Sequence, residues 1–472
     1  MSDPTRTPVL ELADALRAKE LSATELLDAS LAEVDRLNDE LNAVVWRDDE
    51  VARAAARDAD ERLAAGDDAP FLGVPMPIKD LTEVHGWPVS YGSRGRADEP
   101  WQGPSELCVD AFERAGFVVA CKTNTPEFGH ITATENLRFG PSRNPWDPER
   151  TPGGSSGGAA AATAGGMFPA AHANDGGGSI RIPASCCGLV GLKPSRGRVP
   201  RLSQSWLGAV VEGAVTRTVA DAAAILDVLS GPDPLAWYNA PAAARAFREE
   251  VGADAGRLRI ALMDNGPNGM PIDPACTEAA QRTARALEEL GHAVEPVELP
   301  TISEELVEPF NLLIAGSLGE HLPDIEWDQV EPHIAYQHAA ANQVPTIEYV
   351  YAMKHLERMS RQLLEPWGRD FDVLLTPTMA STPPSVGAVL EATHANPEAP
   401  AEAVIAMVAF TAFANITGQP AISLPVHSTD DGIPVGAQLV GGPWDEVTLL
   451  RLAGAVEQAL PWADRAPALA AG

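Results

Sequence analysis

The sequence is short of positive charge, and above all of lysine. Lysine and arginine together number 34, against 66 aspartate and glutamate residues, so the net charge is −32. A balance this acidic argues against nucleic acid or an anionic membrane surface as a partner. Lysine occurs at Lys19, Lys79, Lys122, Lys193 and Lys354 and nowhere else. A lysine retained within an apolar stretch is therefore of interest.

Long apolar runs and paired cysteines are also missing. No run of eighteen apolar residues occurs, and the first residues have no basic start followed by an apolar segment. We therefore expect a cytoplasmic protein with no secretory signal and no membrane partner. No CxxC pair occurs, which favours reduced, buried thiols. The cysteines are Cys108, Cys121, Cys186, Cys187 and Cys276.

Histidine patterns typical of zinc sites are absent too. The sequence contains no HExxH motif and no close histidine pair with a carboxylate partner, so we expect no metal site. His333 and His338 lie in a polar, helix-like stretch and are expected to be solvated.

What the sequence does contain is the pattern of a folded α/β protein. Of its 472 residues, 45% are apolar and 21% are charged. Ser22 precedes Glu25 by three residues, which predicts a capped helix, and short apolar strands then alternate with helices of ten or more residues. We predict a single large α/β domain with a mixed, mostly parallel twisted sheet covered by helices on both faces.

Within this domain we expect four regions. They are N-terminal helices over 1–65, a core over 66–232, a C-terminal half over 258–472, and within that half a helical, pocket-forming region at about 300–365. The last region could instead be an ordinary outer helical layer.

The glycine-rich run "TPGGSSGG", residues 151–158, has two readings. Glycine and serine at this density are typical of a flexible linker. Gly153 to Gly157 also fit G-x-S-x-G, the nucleophile elbow of α/β-hydrolases, but the preceding residues are charged and Pro-rich and predict no strand. Neither reading is settled by the run itself.

A second glycine-rich stretch, "NDGGGSIRIP", places Ser179 directly after three glycines. Unhindered backbone N–H groups next to this hydroxyl could hold the oxyanion that forms when the serine attacks a carbonyl. Three glycines are also typical of a tight turn, which is the alternative interpretation. A nucleophilic serine needs a base. His172 is one candidate. Lys79, in the apolar "GVPMPIKDL", is the other, because burial lowers a lysine pKa; a lysine paired with the adjacent Asp80 is the structural alternative.

These stretches carry a resemblance. "GGSSGGAAAATAGGMFPAAHANDGGGSIRIPA" and "GVPMPIKD" resemble the two motifs of the amidase signature family, and "NITGQPAISLPV" and "GIPVGAQLVG" resemble later segments of it. With "KTNTPE" and "SRNPW", the sequence is most similar to the branch that opens cyclic nylon-oligomer amides. The resemblance implies the amidase signature fold and a Ser-Ser-Lys triad, with Ser179 as nucleophile, Ser155 as bridging serine after a cis peptide bond, and Lys79 as base.

The resemblance also implies roles for neighbouring residues. The oxyanion would be held by backbone N–H groups, and the substrate would be contacted by two residues beside the triad. The oxyanion donors are Gly176, Gly177, Gly178 and Ser179. The substrate-binding residues are His130 and Gly154. Ser156, Asp175 and Arg181 are supporting residues, the last two as an ion pair that fixes the nucleophile loop.

The function implied is hydrolysis of a carbon–nitrogen bond in a linear or cyclic amide, other than a peptide bond, without cofactor or metal. Aryl or polymer-derived amides, carbamates and esters are alternative substrates of the same triad. A transamidation subunit working with partner chains, and a catalytically silent binding protein, are further alternatives. We expect the protein to be a monomer or a homodimer. We expect it to act on a small-molecule amide.

Overall fold

The structure is a computed structural model that describes residues 3–299, 303–321 and 324–470. Its strands are separated mostly by one or more helices. The helices are α1 (Val9–Arg17), α2 (Ala23–Leu41), α3 (Asp49–Ala65), α4 (Leu107–Arg114), α5 (Gly157–Gly165), α6 (Arg181–Cys187), α7 (Val219–Leu229), α8 (Pro274–Glu289), α9 (Glu304–Ser317), α10 (Pro332–Ala341), α11 (Thr346–Leu364), α12 (Ala388–Ala395), α13 (Glu402–Val408), α14 (Ala412–Thr417) and α15 (Glu446–Ala459).

The strands form two sheets. They are β1 (Val44–Arg47), β2 (Pro75–Lys79), β3 (Val118–Thr123), β4 (Ala171–Asp175), β5 (Val190–Lys193), β6 (Val211–Thr216), β7 (Arg259–Leu262), β8 (Ala293–Pro296), β9 (Val373–Pro377), β10 (Ala421–Ser428) and β11 (Pro434–Val440). The small sheet has the order β1-β3-β2, and the large one has the order β4-β6-β5-β10-β11-β9-β7-β8.

The predicted α/β class and the mixed sheet are confirmed, but the expectation that the sheet is mostly parallel is wrong. In the large sheet only the β9–β7 and β7–β8 pairs are parallel, and every pair from β4 to β9 is antiparallel. Alternating helices and strands are typical of parallel crossovers. Here β6 lies between β4 and β5 and runs antiparallel to both, and a short turn joins β10 to β11.

Helix α2 shows how the sequence sets an element. Ser22 Oγ accepts the backbone N–H of Glu25 at 3.1 Å, and the Glu25 carboxylate accepts the backbone N–H of Ser22 at 2.9 Å, so the predicted capping box is present. Leu27, Leu31 and Val34 are buried along one face. The apolar stripe thus packs this N-terminal helix onto the core.

The five cysteines are all free and buried, as expected.

The Pro- and Ala-rich stretch near 231–257 connects two strands of one sheet. It lies between β6 and β7, which both belong to the large sheet, so it does not link separate sheets. None of the helices in the described ranges is long and apolar enough to cross a membrane.

Region 300–365 forms α9, α10 and α11, apart from the undescribed positions within it. Leu306, Phe310 and Ile314 of α9 line a cavity that also contains Ser179. This segment is therefore a cavity wall as well as an outer layer. His333 of α10 is 1% exposed, so the expectation that it is solvated is wrong, because the side chain turns into the protein beside Glu331.

Candidate active site

The candidate site lies where three chain segments meet. Strand β2 ends at Lys79, strand β4 ends at Asp175, and the run 151–156 leads into α5. Lys79 is fully buried and Ser155 is 2% exposed, whereas Ser179 is half-buried. Ser155 and Ser179 line the same cavity. The topology thus brings all three predicted triad residues to one place.

Lys79 bonds to the site and not to its neighbour in sequence. Its Nζ lies 2.7 Å from Ser155 Oγ and donates to Asn174 Oδ1, also at 2.7 Å. Asp80 instead pairs with Lys122, whose Nζ is 3.1 Å from Asp80 Oδ1. The structural alternative, a lysine salt-bridged to the adjacent aspartate, therefore does not hold for Lys79.

Burial changes the acid–base behaviour of Lys79. Removal from water disfavours the ammonium form and lowers the pKa of Lys79 to about 7, although the negative charges of Glu212 and Asp175 act in the opposite direction. Both contacts of its Nζ are to neutral groups. A substantial fraction of this lysine is therefore neutral near pH 7 and able to accept a proton.

The run 151–158 is a packed loop and not a linker. The Gly154–Ser155 peptide bond is cis. Thr134 Oγ1 donates to Gly153 O and accepts the N–H of Gly157, both at 2.9 Å, so one side chain bridges the two sides of the loop. No strand precedes the run, which also excludes the nucleophile-elbow interpretation.

Two further residues of this loop have clear positions. The hydroxyl of Ser156 donates to the carbonyl of Asn174 at 3.2 Å and so joins the loop to β4. At Gly158, an added Cβ would lie 2.6 Å from the carbonyl oxygen of Asn124, so only glycine lets the two backbones approach this closely.

The loop that carries Ser179 is held by a buried ion pair. Arg181 donates from Nε and Nη2 to the two carboxylate oxygens of Asp175, each at 2.9 Å. Burial would raise the pKa of Asp175, but the charge and hydrogen bonds of Arg181 lower it far below its usual range. Asn415 and Gln438 accept further bonds from Arg181, at 2.6 and 2.7 Å. The predicted pair is thus present and fully hydrogen-bonded.

The structure corrects one predicted oxyanion donor. The N–H of Gly178 donates to Asp175 Oδ1 at 2.8 Å, so it is already engaged in holding the loop. Gly178 has a φ of 141°, which L-residues rarely adopt, and this turn directs its N–H toward Asp175. Among the four predicted donors, Gly176, Gly177 and Ser179 remain for an oxyanion.

His172, the alternative base, is committed elsewhere. Its Nε2 lies 2.9 Å from Glu212 Oε2, and its Nδ1 accepts the backbone N–H of Lys79 at 3.3 Å. Since a carboxylate can only accept, Nε2 carries the proton and Nδ1 has none to give. The ring is buried, and its role here is to hold the end of β2 beside β4.

The two predicted substrate-binding residues differ in position. His130 Nδ1 donates to Gln337 Oε1 at 2.7 Å, and burial lowers the pKa of His130 to about 4 against the opposing effect of this bond. The ring lines the cavity with Ser179 and is neutral at pH 7. Gly154 packs against backbone: an added Cβ would lie 2.8 Å from the carbonyl carbon of Thr132.

The cavity around Ser179 has two lobes, which share Ser179, His130 and Trp206. The polar lobe, of about 110 Å³, is lined by charged and hydroxyl side chains. They include Glu83, Glu106, Arg201, Ser203, Ser205 and Glu320. The apolar lobe, of about 160 Å³, is lined mainly by α9, α13 and α14. Its side chains include Leu306, Phe310, Ile314, Val404, Val408 and Ile416.

Some residues of the site were not identified from the sequence. Asn174 contacts Lys79, Thr134 bridges the loop at Gly153, and Gln337 orients His130. Asn415 and Gln438 lie in "NITGQP" and "VGAQLVG", segments whose family resemblance was visible but whose contact with Arg181 was not. No local spacing signals Gln337, which reaches His130 from α10.

Comparison with known proteins agrees with this geometry. Residues 25–450 match the family model described as Amidase. The 6-aminohexanoate-cyclic-dimer hydrolase of Paenarthrobacter ureafaciens is 37% identical over 485 residues, covering 97% of this chain and 95% of that protein. A solved structure of 6-aminohexanoate cyclic dimer hydrolase complexed with substrate gives a TM-score of 0.92 at 34% identity, with 98% of this chain and 99% of that chain covered.

A more distant structure has the same fold. A bacterial aryl acylamidase of the amidase signature enzymes gives a TM-score of 0.86 at 26% identity, with 97% of each chain covered. The predicted family and the predicted branch are both confirmed. Because the family match spans most of the sequence and the fold is shared along its length, this chain belongs to the amidase family.

Proposed function

We propose that Ser179, Ser155 and Lys79 carry out the hydrolysis of a carboxylic amide C–N bond, the reaction class of this amidase-family enzyme. The observation that supports this most is the 2.7 Å contact between Lys79 Nζ and Ser155 Oγ, in a site where burial lowers the pKa of the lysine to about 7. A neutral lysine beside a serine hydroxyl can act as a general base that activates the serine.

In the first step, neutral Lys79 takes the proton of Ser155 while Ser155 takes the proton of Ser179. The Ser179 oxygen attacks the amide carbonyl carbon and forms a C–O bond, and the carbonyl electron pair moves onto its oxygen. We propose that the backbone N–H groups of Gly176, Gly177 and Ser179 hold this oxyanion. Loss of one such donor in an acyl-transfer site costs roughly 2.7–4 kcal/mol of barrier.

In the second step, the tetrahedral intermediate collapses. The proton held by Lys79 returns through Ser155 to the leaving nitrogen, the C–N bond breaks, and the amine departs. Water then enters, gives its proton to Lys79 through Ser155, and attacks the acyl-enzyme. The acid is released, Ser179 recovers its proton, and no cofactor takes part in any step.

We also propose a substrate with two unlike sides. The apolar lobe suits an alkyl or aryl group, and the polar lobe suits a group with N–H donors, because Glu83, Glu106 and Glu320 contribute carboxylates to it. The relatives include a 6-aminohexanoate-cyclic-dimer hydrolase and an aryl acylamidase. Small cyclic or aryl amides are therefore the substrate class to test first.

His130 gives the substrate proposal a specific contact. Since its Nδ1 donates to Gln337, its Nε2 carries the lone pair of the neutral ring, and the ring lines the cavity. We propose that this nitrogen accepts the N–H of the substrate amide. Gly154 is proposed to act through the backbone only, since no side-chain space surrounds it.

The experiment is a panel assay on the full chain. Aryl anilides of increasing acyl length, a cyclic amide of 6-aminohexanoate, a carbamate and an ester are each assayed for released amine or alcohol. We expect amide turnover that is lost in Ser179→Ala and retained in Ser230→Ala, a control at the end of α7. Amide turnover by Ser179→Ala at the wild-type rate contradicts the proposal.

Several sequence expectations stay predictions. They are the cytoplasmic location, the choice between monomer and homodimer, the domain boundaries, and the carbamate, ester and transamidation alternatives. The carbamate and ester arms of the panel measure two of these. Glutaminase activity that requires added partner chains would instead favour a transamidation subunit.

A further inference from the structure

A buried cluster of histidine and carboxylate side chains lies behind one wall of the cavity. Glu331 immediately precedes α10, His333 is the second residue of α10, and His394 is in the last turn of α12. His394 Nε2 is 3.1 Å from Glu331 Oε2, and His333 Nδ1 is 3.6 Å from the same oxygen. The ligand atoms of all three residues lie within 4.8 Å of one another.

His333 has no hydrogen-bond partner within the described part of the chain. The side chain is 1% exposed, yet both Nδ1 and Nε2 are buried and unbonded. A buried polar group without a partner is costly, and native proteins seldom leave one in this state. Nδ1 lies 3.6 Å from Glu331 Oε2, which is too long for a hydrogen bond.

The separations of the two imidazole nitrogens from Glu331 Oε2 suit a shared ion. Zinc binds imidazole nitrogen and carboxylate oxygen at about 2.0–2.2 Å in a tetrahedron, which places neighbouring ligand atoms about 3.3–3.6 Å apart. The two separations at Glu331 Oε2, 3.1 and 3.6 Å, bracket that range closely. The other oxygen of Glu331 accepts the N–H of Leu137 at 2.8 Å, which orients the carboxylate.

A second buried carboxylate lies beside the cluster. Glu127 Oε2 accepts the backbone N–H of Glu331 at 2.7 Å, and the side chains of Glu127 and Glu331 are both buried. A dication at the cluster would offset the negative charge of these neighbouring carboxylates.

The only comparable cluster among the described residues does not share these properties. Cys108, His172 and Glu212 are also close together and buried. There, however, both His172 nitrogens are already hydrogen-bonded, and Glu212 faces Arg201 at 3.2 Å. That cluster is complete without an ion.

We propose that Glu331, His333 and His394 bind one divalent first-row transition-metal ion, with a water as the fourth ligand. Zinc is the ion used to test this. The ion ties α10 to α12. His394 is 21% exposed, and His333 lines a cavity of about 290 Å³ that continues to His130, so an ion has a route to the site.

The site would be structural, with an effect on the cavity through α10. Gln337 lies one turn after His333 on this helix and accepts the hydrogen bond of His130. Fixing the start of α10 therefore fixes the residue that orients His130. The chemical steps proposed above do not pass through the ion, so metal binding and hydrolysis are tested separately.

The test is zinc binding by the full chain after treatment with a chelator and desalting. We expect one zinc per chain, a dissociation constant below about 1 µM, a rise in the melting temperature of about 2–5 °C at 100-fold excess over that constant, and visible d–d bands with cobalt. His394→Ala, at the most exposed ligand, and Glu331→Gln, which keeps its shape, should each weaken binding at least 100-fold.

The control is His355→Ala on α11, outside the cluster, which should bind zinc as the wild type does. Zinc binding by His394→Ala and Glu331→Gln equal to that of the control overturns the proposal. So does a wild-type chain that retains no zinc after desalting. Neither readout depends on hydrolysis, so failure here leaves the proposed triad unaffected.

Discussion

The pH dependence of turnover should report the ionisation of Lys79. Burial lowers the pKa of Lys79 to about 7, and the proposed mechanism requires the neutral amine. At pH 7 about half of the lysine is then neutral, whereas an ordinary lysine would be neutral in about one molecule in 2,500. Burial thus increases the fraction of active base by about a thousandfold.

Turnover should decrease in acid, because only the neutral form of Lys79 can act as the base. Protonation removes the base, so kcat/KM should fall as pH decreases below about 7 and reach a plateau above about pH 8. At pH 5, two units below the pKa, about 1% of the lysine is neutral, which predicts a loss of about 100-fold in kcat/KM. The assay is initial rates on one anilide between pH 5 and 9, with folding checked by circular dichroism at each pH.

Lys193 provides a matched control. Burial also lowers the pKa of Lys193 to about 7, but its Nζ donates to the carbonyl of Pro194 at 2.9 Å and does not contact the triad. Lys193→Met should retain the acid limb. Lys79→Met should lose most activity, and its residual rate on a reactive ester should lack that limb. A wild-type profile that is flat from pH 5 to 8, or an acid limb that disappears in Lys193→Met, refutes the reasoning.

The remaining predictions concern stability and the supporting residues. Between pH 7 and about 10.4, Lys79 is protonated in the unfolded chain and neutral in the folded one, so its contribution raises the free energy of unfolding with pH by up to about 1.4 kcal/mol per unit. Urea denaturation of Lys79→Met at pH 7.5, 8.5 and 9.5 should show this slope reduced, and an unchanged slope would contradict the shifted pKa. Arg181→Met leaves the Asp175 carboxylate buried and unpaired, so the free energy of unfolding should decrease by about 3–5 kcal/mol, and a decrease below 1 kcal/mol would count against the loop-fixing role. Ser156→Ala removes one hydrogen bond to Asn174 O, which predicts a loss of about 1 kcal/mol in stability and less than tenfold in kcat/KM; a loss as large as that of Ser155→Ala would place Ser156 in the proton relay.

The sequence predicts best what lies within a continuous motif. Ser179 could be singled out because it directly follows three glycines, whereas the role of Ser155 came from the family resemblance. Lys79 was one of two candidate bases because lysine is scarce and the surrounding residues are apolar, and the family resemblance selected it over His172. The capping box at Ser22 and Glu25 is equally local, and it forms as expected.

Contacts between distant segments could not be read in the same way. Asn174 meets Lys79, and Gln337 meets His130, through packing between elements whose relative placement is a property of the whole fold. The prediction of strand direction was wrong for a similar reason. Alternating helices and strands suggest parallel crossovers, but the order in which strands pair, with β6 between β4 and β5, depends on the whole fold. The solvated state expected for His333 was wrong because α10 turns that face inward.

The location of the acyl group during turnover tests the proposed nucleophile, Ser179, directly. Wild-type chain is mixed with excess aryl amide, quenched in acid within milliseconds and digested for peptide mass mapping. The proposed mechanism predicts an acyl adduct on the Ser179 oxygen, absent from Ser179→Ala and accumulating in the wild type before steady state. An adduct on Ser155, or full turnover with no adduct on any serine, would contradict it.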